Sequence, residues 1–186
     1  MQRYVSILRG INVSGQKKIK MDDLTVLYES LGFENVRTYI QSGNVVFDAA
    51  GKNSEKIAGD IEQAIQRRYG FEVPVQLRTR AEMGTIVKAN PFLKEEGIDI
   101  GKLHVTFLER APGKSSVQKF NPGSLGPDRY VIQRAEVYLY CPGGYGKTRM
   151  SNNFIEKQLG VRATTRNWKT VNVLADMVNG TVAGEK

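Results

Sequence analysis

At 186 residues with 40% apolar side chains, the chain is long enough for one large or two small domains and too apolar to be disordered. It has no run of ~18 apolar residues, which excludes a membrane-spanning helix, and its single cysteine, Cys141, excludes an internal disulfide and fits a reducing compartment. The formal net charge of +8 is shared by both halves and favours anionic partners, unless it serves solubility alone.

The N-terminus enters at once into Tyr4-Val5-Ser6-Ile7-Leu8, which alternates as a strand does and lacks the pattern of a signal peptide; a cytoplasmic bacterial protein is expected. Met21, Leu24, Leu27, Tyr28 and Leu31 recur at helical spacing, with Asp22 and Asp23 in the first turn and Gly32 at the end. Val36 to Ile40 and Asn44 to Phe47 are β-rich and separated by Gln41-Ser42-Gly43, a hairpin signal. Ile57, Ile61, Ala64, Ile65 and Tyr69 predict a second helix closed by Gly70, and Val73, Val75 and Leu77 a fourth strand.

The second half repeats this order. Leu103, Val105 and Phe107 alternate, Val117 to Phe120 allows a short helix, and Tyr130 to Gln133 with Val137 to Tyr140 form a hairpin around Arg134-Ala135. Phe154, Ile155 and Leu159 sit on a helix ending at Gly160, Arg162 to Thr165 is the last strand, and Trp168 to Val178 the closing helix. Thr79 to Ala89 aligns without a gap on Thr165 to Ala175. The expectation is an α+β protein of two tandem ferredoxin-like (β-α-β-β-α-β) units, each followed by a closing helix and packed on each other. The first spans 1–95 and the second 96–178, with a flexible tail over 179–186.

Strand direction places two candidate sites. The first two strands of a unit run parallel through a right-handed crossover. The loop carrying Arg9, Asn12, Lys17 and Lys18 therefore lies at the same end as Gln41, Ser42 and Asn44, where glycines, cations and amides suit a phosphate or carboxylate; a Gly/Asn turn with solvated lysines is the alternative. In the second half, Lys147, Thr148 and Arg149 follow a glycine-rich turn beside the exit of the last strand at Arg166, Asn167 and Trp168. Gly146-Lys147-Thr148 has the ending of a phosphate-binding loop, but Cys141 stands at the required first glycine, so a nucleoside triphosphatase is rejected. Arg166 is a candidate clamp for an oxyanion; Trp168 either stacks on a base or fills the core. Tyr138 and Tyr140 on one sheet face would suit RNA stacking if exposed.

One histidine and one cysteine leave no metal-ligand set and no supported nucleophile pair, and no cofactor is expected. Three blocks carry a family resemblance: Arg9-Gly10-Ile11-Asn12-Val13 with Lys18-Ile19-Lys20-Met21, Tyr39-Ile40-Gln41-Ser42-Gly43-Asn44-Val45-Val46-Phe47, and Thr165-Arg166-Asn167-Trp168-Lys169-Thr170-Val171. From about residue 3 to 178 the chain resembles the bacterial family called domain of unknown function 1697. The resemblance implies a two-part α+β fold and a cytoplasmic bacterial protein, and transfers no catalytic residue. The expected function is binding of an anionic ligand (nucleotide, phosphorylated metabolite or nucleic acid) at the basic loops. An enzyme acting on a phosphorylated small molecule, and single-strand RNA binding through an open sheet face, are the alternatives.

Overall fold

A computed structural model describes residues 1–51 and 53–181. The described residues form an α+β structure of eight strands and six helices, the strands divided between two four-stranded antiparallel sheets. In chain order the first sheet and its helices are β1 (Gln2–Leu8), α1 (Met21–Ser30), β2 (Glu34–Tyr39), β3 (Asn44–Ala49), α2 (Ser54–Tyr69), β4 (Val75–Thr79) and α3 (Arg80–Lys88). The second set is β5 (Leu103–Leu108), α4 (Lys114–Lys119), β6 (Arg129–Gln133), β7 (Glu136–Tyr140), α5 (Asn152–Leu159), β8 (Ala163–Asn167) and α6 (Trp168–Asn179). The sheet orders are β2-β3-β1-β4 and β6-β7-β5-β8.

Two structural units result. Among the described residues, unit 1 comprises residues 1–85 and 173–181, and unit 2 comprises residues 86–172. Both α3 and α6 therefore change unit part-way along their length. Within unit 1, Arg80 Nε donates to Asn179 Oδ1 at 2.8 Å, which ties the start of α3 to the end of α6. The expected tail over 179–186 begins inside α6, where Gly180 and Thr181 bond back to Met177 and Asp176; residues 182–186 lie outside the described residues.

Each unit has a core on the helix-covered face of its sheet. In unit 1, Tyr4, Leu8, Val45, Phe47 and Leu77 from the strands pack with Leu24, Leu27, Tyr28, Ile57, Ile61 and Ile65 from α1 and α2. The 3.6-residue spacing of those helix positions explains why α1 and α2 lie flat on the sheet. In unit 2 the same layer holds Leu108, Val137, Leu139, Ala163, Ile155 and Leu159. Gly70 and Gly160 close α2 and α5 in the left-handed conformation at φ 77° and 68°, as a C-terminal glycine permits.

The two sheets share matched bonds, although the β2–β3 pairing shifts register between Glu34 and Arg37 and the β6–β7 pairing does not. Leu8 N donates to Gly43 O and Leu108 N to Ala135 O, both at 2.8 Å. Arg9 N donates to Pro74 O and Glu109 N to Arg162 O, both at 2.9 Å. In each unit a glutamate of the second helix, Glu62 or Glu156, accepts the first amide of the last strand, Val75 N or Ala163 N, at 2.8 Å. Strand register pairs Val5 with Arg78 and Val105 with Arg166. That register corrects the gap-free alignment of Thr79 to Ala89 on Thr165 to Ala175, which is two residues out: Arg78, not Arg80, corresponds to Arg166. A shift of two keeps strand residues on the same face, because side chains there alternate with a period of two, but it carries the residues of α3 and α6 around the helix.

Candidate functional site

The loop after β1 does meet the β2–β3 hairpin, and Asn12 is the residue that joins them. At φ 56°, its amide nitrogen donates to Ile19 O and Gln41 O, both at 2.8 Å, while its oxygen accepts from Ile19 N at 2.9 Å. All the hydrogen-bonding capacity that matters is spent inside the protein. Between Asn12 and Lys17 the chain makes a miniature hairpin: Val13 bridges Gln16, and Ser14 and Gly15 both have positive φ, as a type I′ turn requires. Ile11 and Ile19 on either side are buried and anchor the loop to the core. Asn44 is buried and donates to Tyr39 O and the Ser42 hydroxyl, both at 3.0 Å. Lys17 Nζ donates to Glu72 O at 2.6 Å. Gln41 and Lys18 are exposed, and Arg9 is half-buried. The helix that follows, α1, already carries Asp22 and Asp23 in its first turn, so its positive end is answered from within the chain. At this end of unit 1 the Asn12 and Asn44 amides brace the loops from within the protein.

In unit 2 the residues named from sequence separate. Arg166 faces the side of the sheet away from Leu108 and Ala163, is buried, and donates to Thr164 Oγ1 at 3.1 Å and to Thr165 O at 3.0 Å. Burial pushes its guanidinium down to about 10. Asn167 is exposed but spends its side-chain oxygen on Thr170 N at 2.8 Å, capping α6. Trp168 is buried and belongs to the interior. Thr148 accepts from Met150 N at 3.2 Å, and Arg149 reaches Ser124 O at 3.3 Å. Lys147 is exposed, and its ammonium has no partner among the described residues.

The opposite face of the same strands carries a cluster that sequence reasoning did not assemble. Thr165 on β8, Thr106 on β5, Tyr145 in the turn after β7 and Asn152 at the start of α5 converge on one hydroxyl. Thr165 Oγ1 lies 2.7 Å from Asn152 Oδ1, 2.7 Å from Thr106 Oγ1 and 3.0 Å from Tyr145 Oη. A hydroxyl has one hydrogen to give. Since Asn152 Oδ1 can only accept, Thr165 donates to it, and Thr106 and Tyr145 donate to Thr165. The amide of Asn152 is thereby oriented: its oxygen is held inward and its NH₂ has no partner among the described residues. His104, the only histidine, stacks on Tyr145 with centroids 5.0 Å apart and planes at 26°.

Burial depresses the His104 imidazole below its ordinary value; the Lys102 carbonyl, 3.2 Å from Nδ1, partly offsets this and the Lys102 charge adds to it. A base held below its unfolded value stays neutral in the native state. Its contribution to stability is complete above the unfolded pKa of about 6.5 and is lost as pH falls through that value towards the lower folded one. Denaturant titrations should therefore show a lower midpoint at pH 5.5 than at 7.5, and His104→Gln should flatten that difference.

Cys141 is buried, and burial followed by the Asp128 charge pushes its thiol up to about 11, with Thr148 opposing. A native thiolate is thus scarce and shielded. A disulfide reagent should label the native protein at least ~100-fold more slowly than the unfolded chain; equal rates would mean that the β7 exit opens readily.

The RNA reading of the sheet face fails on Tyr138. It is 1% exposed and its hydroxyl donates to Ile86 O at 3.0 Å, so it offers no ring to a base. Tyr140 is half-buried beneath Arg129, whose guanidinium sits 5.2 Å from the ring centroid. No group of acidic, histidine or cysteine side chains suited to a metal ion occurs among the described residues, and no helix there is long and apolar enough to cross a membrane.

Comparison with known proteins identifies the chain's relatives. The profile of the family described as "Protein of unknown function (DUF1697)" matches residues 1–138, and the chain belongs to that family. No curated protein matches it. Among solved structures it is similar to a conserved bacterial protein, SP0830 from Streptococcus pneumoniae, at 21% identity and a TM-score of 0.71, covering 95% of this chain and 98% of that one. At that identity the likeness is one of fold.

Proposed function

We propose that this member of a family without an assigned activity binds an anionic small molecule, a nucleotide or another phosphorylated metabolite, at the turn between β7 and α5. The observation that carries the reading is the orientation of Asn152. Thr165 and Tyr145 donate to its oxygen and Thr106 braces Thr165, which leaves two N–H donors without a partner among the described residues at a helix start, where the dipole favours negative charge. Lys147, on the same turn, supplies an uncommitted cation. Preorganised donors of this kind cost little to order on binding.

Thermal denaturation with inorganic phosphate, a nucleoside monophosphate and a sugar phosphate tests the reading. A ligand at a hundred times its Kd stabilises the native state by about 2.7 kcal/mol. Asn152→Asp keeps the acceptor for Thr165 and replaces those N–H donors with negative charge, so it should weaken binding at least tenfold; Lys147→Ala should act in the same direction. If no phosphate compound moves the midpoint, or if the shift survives both substitutions, the reading is wrong. Affinity that falls log-linearly with salt over several charges would assign nucleic acid as the anion.

An enzyme acting on a phosphorylated small molecule is a second reading, favoured by His104. A neutral imidazole stacked on Tyr145 beside the hydroxyl cluster is in the protonation state of a general base at pH 7. Loss of turnover in His104→Gln with binding retained would select it.

We further infer that each four-stranded unit is a ferredoxin-like module with a closing helix, and that residues 1–95 and 96–178 arose by tandem duplication. The repeated sheet order and the matched bonds at Leu8/Leu108 and Arg9/Glu109 support this.

A further inference from the structure

We propose that the rim of unit 1 formed by the miniature hairpin and the β2–β3 turn docks this protein onto an anionic lipid surface. Two exposed aliphatic side chains stand on that rim, Val13 at 58% and Ile40 at 41% exposure. The Asn12–Gln41 hydrogen bond, one residue from each, holds them on the same edge. Other exposed aliphatics of unit 1, such as Val26, occur singly, which is ordinary for a protein surface.

Neither tip is there by default. Ile40 has φ 50°, a left-handed conformation that a β-branched residue adopts only at a cost, and its side chain gains little burial in return. Glycine or asparagine would suit the backbone better. Val13 sits beside the Ser14-Gly15 turn, at the bridge to Gln16. The cost is borne at a position where much of the side chain stays in water.

Charge selects the occupant. Residues 9–20 contain Arg9, Lys17, Lys18 and Lys20 and no acid. Acidic groups begin at Asp22 and Asp23, the latter 3.7 Å from Arg68, and Glu72 lies beside Lys17, whose ammonium is bound to the Glu72 carbonyl. A nucleic acid would use the cations and leave the aliphatic tips in water. A lipid surface uses both: apolar insertion alone and basic attraction alone each give marginal attachment, and the two together give a stable one. The inference rests on unit 1 alone and is independent of the phosphate site proposed in unit 2.

Co-sedimentation of the full chain with vesicles of phosphatidylglycerol and phosphatidylcholine, against pure phosphatidylcholine, decides it. Binding should require phosphatidylglycerol and weaken with salt. It should fall at least tenfold in the double variant Val13→Ser, Ile40→Asn, and stay unchanged in Lys147→Ala. The thermal midpoint of Ile40→Asn should equal or exceed that of the parent chain, which separates lost docking from lost folding. Absence of vesicle binding overturns the proposal. So does binding indifferent to the double variant, or preference for a single-stranded oligonucleotide that displaces the vesicles.

Discussion

Gly43→Ala is expected to destabilise unit 1 by roughly 3 kcal/mol, combining left-handed strain with an overpacked contact, and to lower the thermal midpoint by about 10 °C. Gly43 has φ 76°, so any side chain there is strained before packing is considered. An added Cβ would stand 2.6 Å from Ile11 Cδ1 and 2.9 Å from both Ile11 Cγ1 and Leu8 Cβ. Leu8 is a buried core residue whose amide bonds to Gly43 O, and Ile11 anchors the following loop, so neither has room to retreat. Gly10, also at positive φ but with open space around it, provides the control: Gly10→Ala should cost only the backbone strain, about 1 kcal/mol. Chemical denaturation of the two variants side by side checks the prediction, and equal losses would show that Ile11 yields.

Asn12→Asp is the second large effect, with an expected cost of about 3 kcal/mol. The substitution is nearly isosteric, which makes it sharper than truncation. The oxygen that accepts from Ile19 N is kept, but the nitrogen that donates to Ile19 O and Gln41 O becomes a carboxylate oxygen facing two carbonyls. Two acceptors then lose their donor and meet like charge density. Protonation of the new carboxyl restores one donor, so the deficit should shrink as pH falls through the carboxyl's raised native value and level off below its unfolded value of about 4. Asn12→Ala should cost less than Asn12→Asp at pH 7. Because Asn12 and Gly43 brace the same junction, combining their substitutions should cost less than the two separate losses together. Full additivity would refute a common brace.

The elements that the sequence revealed are those set by local physics. Leu103, Val105 and Phe107 alternate because a strand buries alternate positions, and Gly70 and Gly160 stop helices because they tolerate positive φ. The matching order of the two halves followed from such signals. The chemistry of the loops was much less legible. An asparagine reads the same whether its amide faces a ligand or a neighbouring carbonyl, and Asn12 and Asn44 face carbonyls. The last strand was expected over Arg162 to Thr165; it runs over Ala163–Asn167 with the Arg166 guanidinium buried. The Thr106–Thr165–Tyr145–Asn152 cluster draws on four separated stretches of chain. No local pattern shows which hydroxyls will converge.

The membership of residues 173–181 in unit 1 has a consequence for synthesis. A ribosome makes residues 1–85 before residues 86–172, yet the first unit to emerge cannot be finished until residues 173–181 appear. The Arg80–Asn179 link encloses the whole of that interval. Nascent unit 1 must wait through translation of all of unit 2, roughly 5–20 s at about 5–20 residues per second, before its own terminal helix segment arrives. Release of a truncated product would leave both the early and the late portions of the polypeptide open to proteases at once.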